Sequence, residues 1–198
     1  MRTLVVIEFV TLDGVMQGFG SPEEDRDGGF VHGGWGADYV DQVQMESAVA
    51  GLERTGAYLF GRRTFEKMAD FWPHQPDSNP MAAHLNRTPK YVATRSLTSF
   101  RWAGSERLGD DLGADVARLK GSGQGDIAVL GSGVVVHELM RLRLVDEYRL
   151  FLHPLLLGTG KRLFRELPTP HRLELTDARP TATGVLMLSY RSLRAEGG

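Results

Sequence analysis

The stretch Asp126-Ile127-Ala128-Val129-Leu130-Gly131-Ser132-Gly133-Val134 reads as a short buried strand that ends in a Gly-x-Gly turn. A helical pattern follows at once, from Val134 to Arg143. A strand feeding a helix through glycines is the unit of parallel α/β sheets, whose ligands bind outside the carboxyl ends of the strands. Glycine there lets a phosphate approach the backbone, and the helix behind it offers unpaired N–H groups.

Two other strand ends carry similar equipment. Leu59-Phe60-Gly61-Arg62-Arg63-Thr64 closes a strand over 57–60 with a glycine, two arginines and a hydroxyl, and a short helix runs on to Ala69. Ala93-Thr94-Arg95-Ser96 ends a strand over 90–93 in two hydroxyls and a guanidinium. Any one of these is ordinary turn chemistry. Three of them in one small chain point to a phosphate-bearing ligand held by backbone N–H groups and arginines. Neither standard nucleotide fingerprint is present: there is no Gly-x-x-x-x-Gly-Lys-Ser/Thr, and Gly131-Ser132-Gly133 lacks the third Rossmann glycine and the ribose-binding acid.

Further out, residues 3–10 form a β-branched run suited to a central strand, with Glu8 its only charge. Thr11 to Gly36 has no period and is rich in Gly, Asp and Glu, but Phe19, Phe30 and Trp35 predict an ordered loop that packs over something. Residues 37–54 predict a helix with Tyr39, Val43, Met45, Val49 and Ala50 on its apolar face. Residues 71–88 hold three prolines and predict loop with at most one helical turn. A helix over 111–120 follows, and strands near 147–152, 172–178 and 184–192 have no helices between them. The whole predicts one α/β domain over 1–198: a mixed, mostly parallel sheet, helices on both faces and an antiparallel C-terminal hairpin.

Composition narrows the partners. Lys plus Arg is 23 against 25 Asp plus Glu, net −2, so the basic surplus of a nucleic-acid binder is missing. With no cysteine, disulfides, thiolate catalysis and Cys-ligated zinc are excluded. His137-Glu138 has no second His at i+4, so no metal is expected. The apolar Leu4 to Ile7 is too short for a signal segment, and no other stretch has membrane-spanning length. These features predict a soluble, cytoplasmic protein.

The order of motifs resembles the dihydrofolate reductase superfamily, and most closely the reductase domain of riboflavin biosynthesis with its stand-alone relatives. Thr11-Leu12-Asp13-Gly14-Val15 resembles the Ser-Leu-Asp-Gly segment after the first strand of these reductases. Phe60-Gly61-Arg62-Arg63-Thr64-Phe65-Glu66 resembles Met-Gly-Arg-x-Thr-Trp-Glu of dihydrofolate reductases, and Val129-Leu130-Gly131-Ser132-Gly133 their Gly-Gly-Gly turn. His153-Pro154-Leu155-Leu156-Leu157-Gly158-Thr159-Gly160 resembles the Pro-x-x-Leu-Gly-x-Gly segment of the riboflavin-type group, the most specific of the matches.

The resemblance implies a three-layer dihydrofolate-reductase-like fold, NADPH as cofactor and hydride transfer to a small heterocycle. The family default is 5-amino-6-(5-phosphoribosylamino)uracil reduction. A stand-alone paralogue with another substrate, or a non-catalytic NADPH-binding module, are the alternatives. Arg62, Arg63, Thr94, Arg95 and Ser96 would hold the 2′-phosphate side. Thr64 with Gly131, Ser132, Gly133 and Val134, beside Gly61, would hold the pyrophosphate. The family's Gly-Gly pair, joined by a cis peptide, is Gly131-Ser132 here. On the substrate side the candidates are Asp13, Trp35, Asp38 (with Asp41 competing) and His153; Asp13 also suits a plain turn former, and His32 suits a solvated loop. No catalytic residue is assigned. A homodimer is the family's expectation.

Overall fold

The computed structural model describes residues 1–193. The strands are β1 (Leu4–Thr11), β2 (Thr55–Gly61), β3 (Lys90–Ala93), β4 (Ser105–Arg107), β5 (Asp126–Val129), β6 (Glu147–His153), β7 (Leu173–Pro180) and β8 (Leu186–Ser192). The α-helices are α1 (Gln42–Leu52), α2 (Arg62–Phe71), α3 (Pro80–Arg87), α4 (Leu112–Lys120) and α5 (Gly133–Arg141). One sheet holds all eight strands in the order β4-β3-β2-β5-β1-β6-β8-β7. Pairings from β4 through β6 are parallel, and β6–β8 and β8–β7 are antiparallel.

The β-branched centre of the sheet is buried because helices cover both sides of it. On one face Leu4, Val6, Val10, Leu59 and Val129 pack under Val116 and Leu119 of α4 and Val136, Leu139 and Met140 of α5. On the other, Tyr58, Phe60, Val92 and Ala128 meet Phe65 and Ala69 of α2 and Leu85 of α3. Lys90 is fully buried; its ammonium donates to the carbonyls of Leu85 and Thr88, both at 2.7 Å, and lies 4.7 Å over the Trp102 ring. It thereby ties the end of α3 to the start of β3.

Three elements depart from the sequence expectation. Residues 80–87 are a helix, because Pro80 occupies its first position, where a missing N–H costs nothing, and Asn79 caps the N–H groups of Met81 and Ala82. A proline that predicts loop here starts a helix. α1 begins only at Gln42, capped by Asp41, and Ala37–Tyr39 is a separate 3-10 turn. Its apolar residues are spread around the helix, so Val43, Met45 and Val49 are exposed and Gln44 and Leu52 are the buried ones. β4 is a three-residue edge strand of Ser-Glu-Arg, a composition with no strand signal. No helix among the described residues is long and apolar enough to cross a membrane.

Candidate active site

β2 and β5 end side by side at the carboxyl edge. The Gly61 N–H donates to the Gly131 carbonyl at 3.0 Å, and Leu130 N–H to Leu59 at 3.3 Å, so α2 and α5 start next to each other. Only glycine fits at 61: a Cβ there would collide with Ser132 Oγ and lie 3.0 Å from Val135 Cγ2. Gly131 has φ +92°, which disfavours other residues, and its peptide bond to Ser132 is cis. α1, α3 and α4 are capped by the side chains of Asp41, Asn79 and Asp111, whereas α2 and α5 have no side-chain cap. Two helix N-termini therefore start side by side, with no side chain of their own closing the first N–H groups.

The expected cofactor residues surround this place unequally. Arg62 is half exposed and loosely paired with Glu66 at 3.9 Å. Arg95 and Ser96 are exposed just beyond β3. Thr94 Oγ1 accepts from the N–H groups of Ser96 and Leu97, so it shapes its own turn. Arg63 pairs with Asp27 of the loop after β1 rather than pointing free. Thr64 Oγ1 lies 3.1 Å from the position of a Cβ on Gly131.

β1 reaches past β5. Its register with β5 covers Leu4 to Val6, while that with β6 runs from Val5 to Thr11. The end of β1 thus runs on past the last β5 pair, and Glu8 packs against the Gly131 turn. The Glu8 side chain is buried, its Oε1 makes no hydrogen bond among the described residues, and that oxygen is 3.5 Å from a Cβ position on Gly131. Burial, reinforced by the charge of Glu24 on the loop, pushes its carboxyl from 4.5 up to about 8. Met16, also from the loop, overlies Gly133, with Sδ 2.7 Å from a Cβ position there. Sequence reasoning missed both residues. The available signal was a lone charge inside a buried strand.

The loop is tied down by the Pro-x-x-Leu-Gly-x-Gly segment. Met16 N–H donates to Lys161, Leu12 N–H to Leu155, and Leu163 N–H to Gly14. Gln17 accepts from Lys161 N–H and donates to the carbonyls of Asp25 and Asp27, and the Lys161 ammonium bridges the carboxylates of Asp25 and Asp27. Asp13 belongs to this framework. Its carboxylate accepts from Thr11 Oγ1 and from the N–H groups of Leu157 and Gly158, with Arg162 beside it. The Thr11 hydrogen bond, ahead of the two N–H bonds, holds its carboxyl down at about 2.

On the opposite face of β1, aromatic rings gather around His153. Phe9 stacks on Phe19 at 4.1 Å and on Phe151 at 4.6 Å, and Trp35 and Tyr39 stand edge-on to the His153 ring at 5.0 and 5.3 Å. His153 Nδ1 contacts only carbonyls, those of Phe151 at 2.9 Å and Val10 at 3.3 Å, so it carries the proton. Nε2 is then a buried acceptor with no partner among the described residues, and burial lowers the ring's basicity. Trp35 donates its indole N–H to Gln17 O at 2.8 Å. Asp38 is exposed in the 3-10 turn, outside this cluster, and Asp41 caps α1. His32 is exposed beside Phe30. A groove of about 980 Å³ opens at the amino edge of the sheet beside Arg2, Lys120, Arg143 and Arg172. It contains none of the residues just described.

This three-layer sheet with paired glycine turns at its carboxyl edge is the dihydrofolate-reductase-like fold. The chain belongs to the RibD C-terminal domain family, which it matches over residues 2–187. It is 26% identical to the uncharacterized protein YyaP of Bacillus subtilis over 196 residues, covering 96% of this chain and 94% of that one. Among solved structures, a Shewanella sp. PV-4 protein assigned by its name to riboflavin biosynthesis superposes with a TM-score of 0.73 at 19% identity, over 98% of this chain and 100% of the other. Dihydrofolate reductase from Enterococcus faecalis, complexed with NADP(H), superposes with a TM-score of 0.61 at 16% identity, over 96% of each chain.

Glu8 makes stability depend on pH with a definite sign. Its folded-state proton affinity is raised, so its contribution is fully present below 4.5, falls as pH rises, and is lost above about 8. Glu8→Gln keeps the shape without the titration. Urea unfolding at about pH 5 and about pH 9 is expected to show the variant gaining on the natural protein at the higher pH; parallel losses in both proteins would show that Glu8 ionises freely.

Proposed function

We propose that this chain is an NADPH-dependent reductase that delivers hydride to a small planar heterocycle in the cytoplasm. The observation that carries the cofactor half is the meeting of two uncapped helix N-termini at Gly61 and Gly131. Fixed N–H groups, two helix dipoles and a close approach of two turns at Gly61 fit a pyrophosphate. Thr64, Gly131, Ser132, Gly133 and Val134 would hold that group, and Arg62, Arg95 and Ser96 the 2′-phosphate, with Thr94 shaping the turn. Arg63 would join them only by leaving Asp27. That the Enterococcus reductase of the same fold carries NADP(H) supports this assignment.

The nicotinamide supplies the hydride when bound. This chain's own part is positioning and exclusion of water. Phe9, Phe19 and Trp35 enclose His153, and with the loop that carries Phe19 and Trp35 drawn back, Phe9 would meet a planar ring and Nε2 would accept an N–H or O–H of the substrate. Trp35 braces the loop above them through Gln17. The loop from Thr11 to Gly36, fastened by Lys161, would act as the lid. A 5-amino-6-(5-phosphoribosylamino)uracil has the planar, N–H-rich character this surface suits, and reduction in riboflavin synthesis is the leading assignment. A stand-alone paralogue with another heterocycle uses the same features.

Thermal-shift measurements are expected to show stabilisation by NADPH exceeding that by NADH. Arg62→Ala combined with Arg95→Ala should weaken NADPH by about tenfold and leave NADH nearly unchanged. Equal responses to the two cofactors would contradict the 2′-phosphate assignment. NADPH oxidation in the presence of the deaminated pyrimidine intermediate then tests turnover; binding without oxidation by any such pyrimidine would leave a non-catalytic module.

A homodimer is part of the proposal. β7 lies at the sheet edge and is exposed from Glu174 to Pro180, with Leu175 and, on β8, Leu186 open to solvent. An edge strand left this bare is a pairing surface. Light scattering should give twice the chain mass, and Leu175→Lys with Leu186→Lys should return it to the monomer value; a monomeric natural protein would refute the pairing.

A further inference from the structure

We propose that the groove at the amino edge of the sheet binds an amphipathic organic anion: a carboxylate, sulfonate or phosphate on an apolar body of ring size. The inference does not rest on the NADPH reading. The groove lies at the far end of α5 from the Gly131 turn, about 13 Å along a helix of 9 residues.

Its charges are out of balance. The carboxylates at the groove are those of Asp126, Asp146, Glu147 and Glu174, and all are taken. Lys120 pairs with Asp146, Arg149 with Glu147 and Asp126, and Arg191 with Glu174. None forms an ion pair with Arg143 or Arg172, two exposed residues of the rim. The Arg143 guanidinium donates to Thr169 Oγ1 at 2.7 Å and to the Pro170 carbonyl at 3.3 Å, neutral acceptors that orient it without cancelling its charge. Arg172 has no side-chain partner among the described residues. Arg143 also takes the left-handed position that ends α5, at φ +54°, where glycine is favoured. The turn itself does not call for an arginine. In a chain of net charge −2, this rim is a local excess of positive charge.

The floor supplies the other half. Met140, Leu144 and Val145 make it apolar, and Tyr148 packs with them, only 3% exposed. The Tyr148 hydroxyl makes no hydrogen bond among the described residues, yet it is not sealed, so it opens on the groove. Buried polar groups are rarely left without a partner. Burial pushes the phenol up to about 12, so it stays a neutral donor. The groove thus joins a buried donor and an apolar floor to two guanidiniums at the rim. An inorganic ion gains nothing from that floor, and an uncharged ring gains nothing from the arginines. The volume of about 980 Å³ is ample for one small organic molecule.

Fluorescence titration of the full chain with 1-anilinonaphthalene-8-sulfonate tests this, with the uncharged N-phenyl-1-naphthylamine for comparison. Arg143→Gly with Arg172→Gln removes both guanidiniums, and glycine suits the backbone at 143. This variant should bind the sulfonate about tenfold more weakly and the uncharged probe within about twofold of the natural protein. Tyr148→Phe keeps the ring and should cost the sulfonate about fivefold. Arg62→Ala with Arg95→Ala, at the opposite edge, should leave sulfonate binding unchanged, whatever becomes of NADPH. Thermal midpoints within about 3 °C of the natural one mark variants whose fold is intact. Absence of sulfonate binding by the natural protein would overturn the proposal. So would full affinity in both groove variants, an equal loss of both probes, or a matching loss in the Arg62 and Arg95 variant. Each of these outcomes leaves the NADPH reading standing.

Discussion

The hydrogen bond from Gly61 N–H to Gly131 O is the contact on which the candidate site depends. It brings the ends of two parallel strands together, and with them the starts of α2 and α5. The approach is possible only because position 61 has no side chain, since Ser132 and Val135 occupy the space a Cβ would need. Position 131 requires a left-handed backbone that favours glycine. Two helix N-termini then start side by side, and neither is closed by a side chain of its own.

A second layer of order comes from the loop after β1 and the segment after β6. The carboxylate of Asp13 gathers Thr11, Leu157 and Gly158, and Gln17 with Lys161 fixes the next stretch. Gly160, at φ +115°, lets Phe30 and Val15 close down on the backbone, where a Cβ would come within 2.8 Å of each. Gly160 therefore serves packing of the loop, whereas Gly131, with Gly61, brings two strand ends and two helix starts together. Similar letters have different causes.

The sheet, its mostly parallel centre and its antiparallel finish were legible because alternation of β-branched runs with helical patterns is a local signal. The three strand-end turns were legible for the same reason. What the sequence concealed depended on tertiary context. Pro80 reads as a breaker until Asn79 is seen capping the helix it begins. α1 is apolar on several sides, and periodicity cannot say that only Gln44 and Leu52 face inward. Arg63 looks like a phosphate ligand, yet Asp27, distant in sequence, reaches it first. Asp13 looks like a substrate residue or a turn former, and its hydrogen bonds lie with the chain itself. Glu8 was visible as an odd charge in a strand, but its unpaired oxygen and its place across from Gly131 exist only in three dimensions.

In the proposed function a dinucleotide phosphate rests on the paired starts of α2 and α5. Amide chemical-shift mapping during titration with NADPH addresses it most directly. Shifts are expected to concentrate at Gly61 to Thr64 and Ser132 to Val135, with the capped first turns of α1, α3 and α4 unmoved. Shifts confined instead to the groove at the amino edge, around Lys120, Arg143 and Arg172, would contradict it.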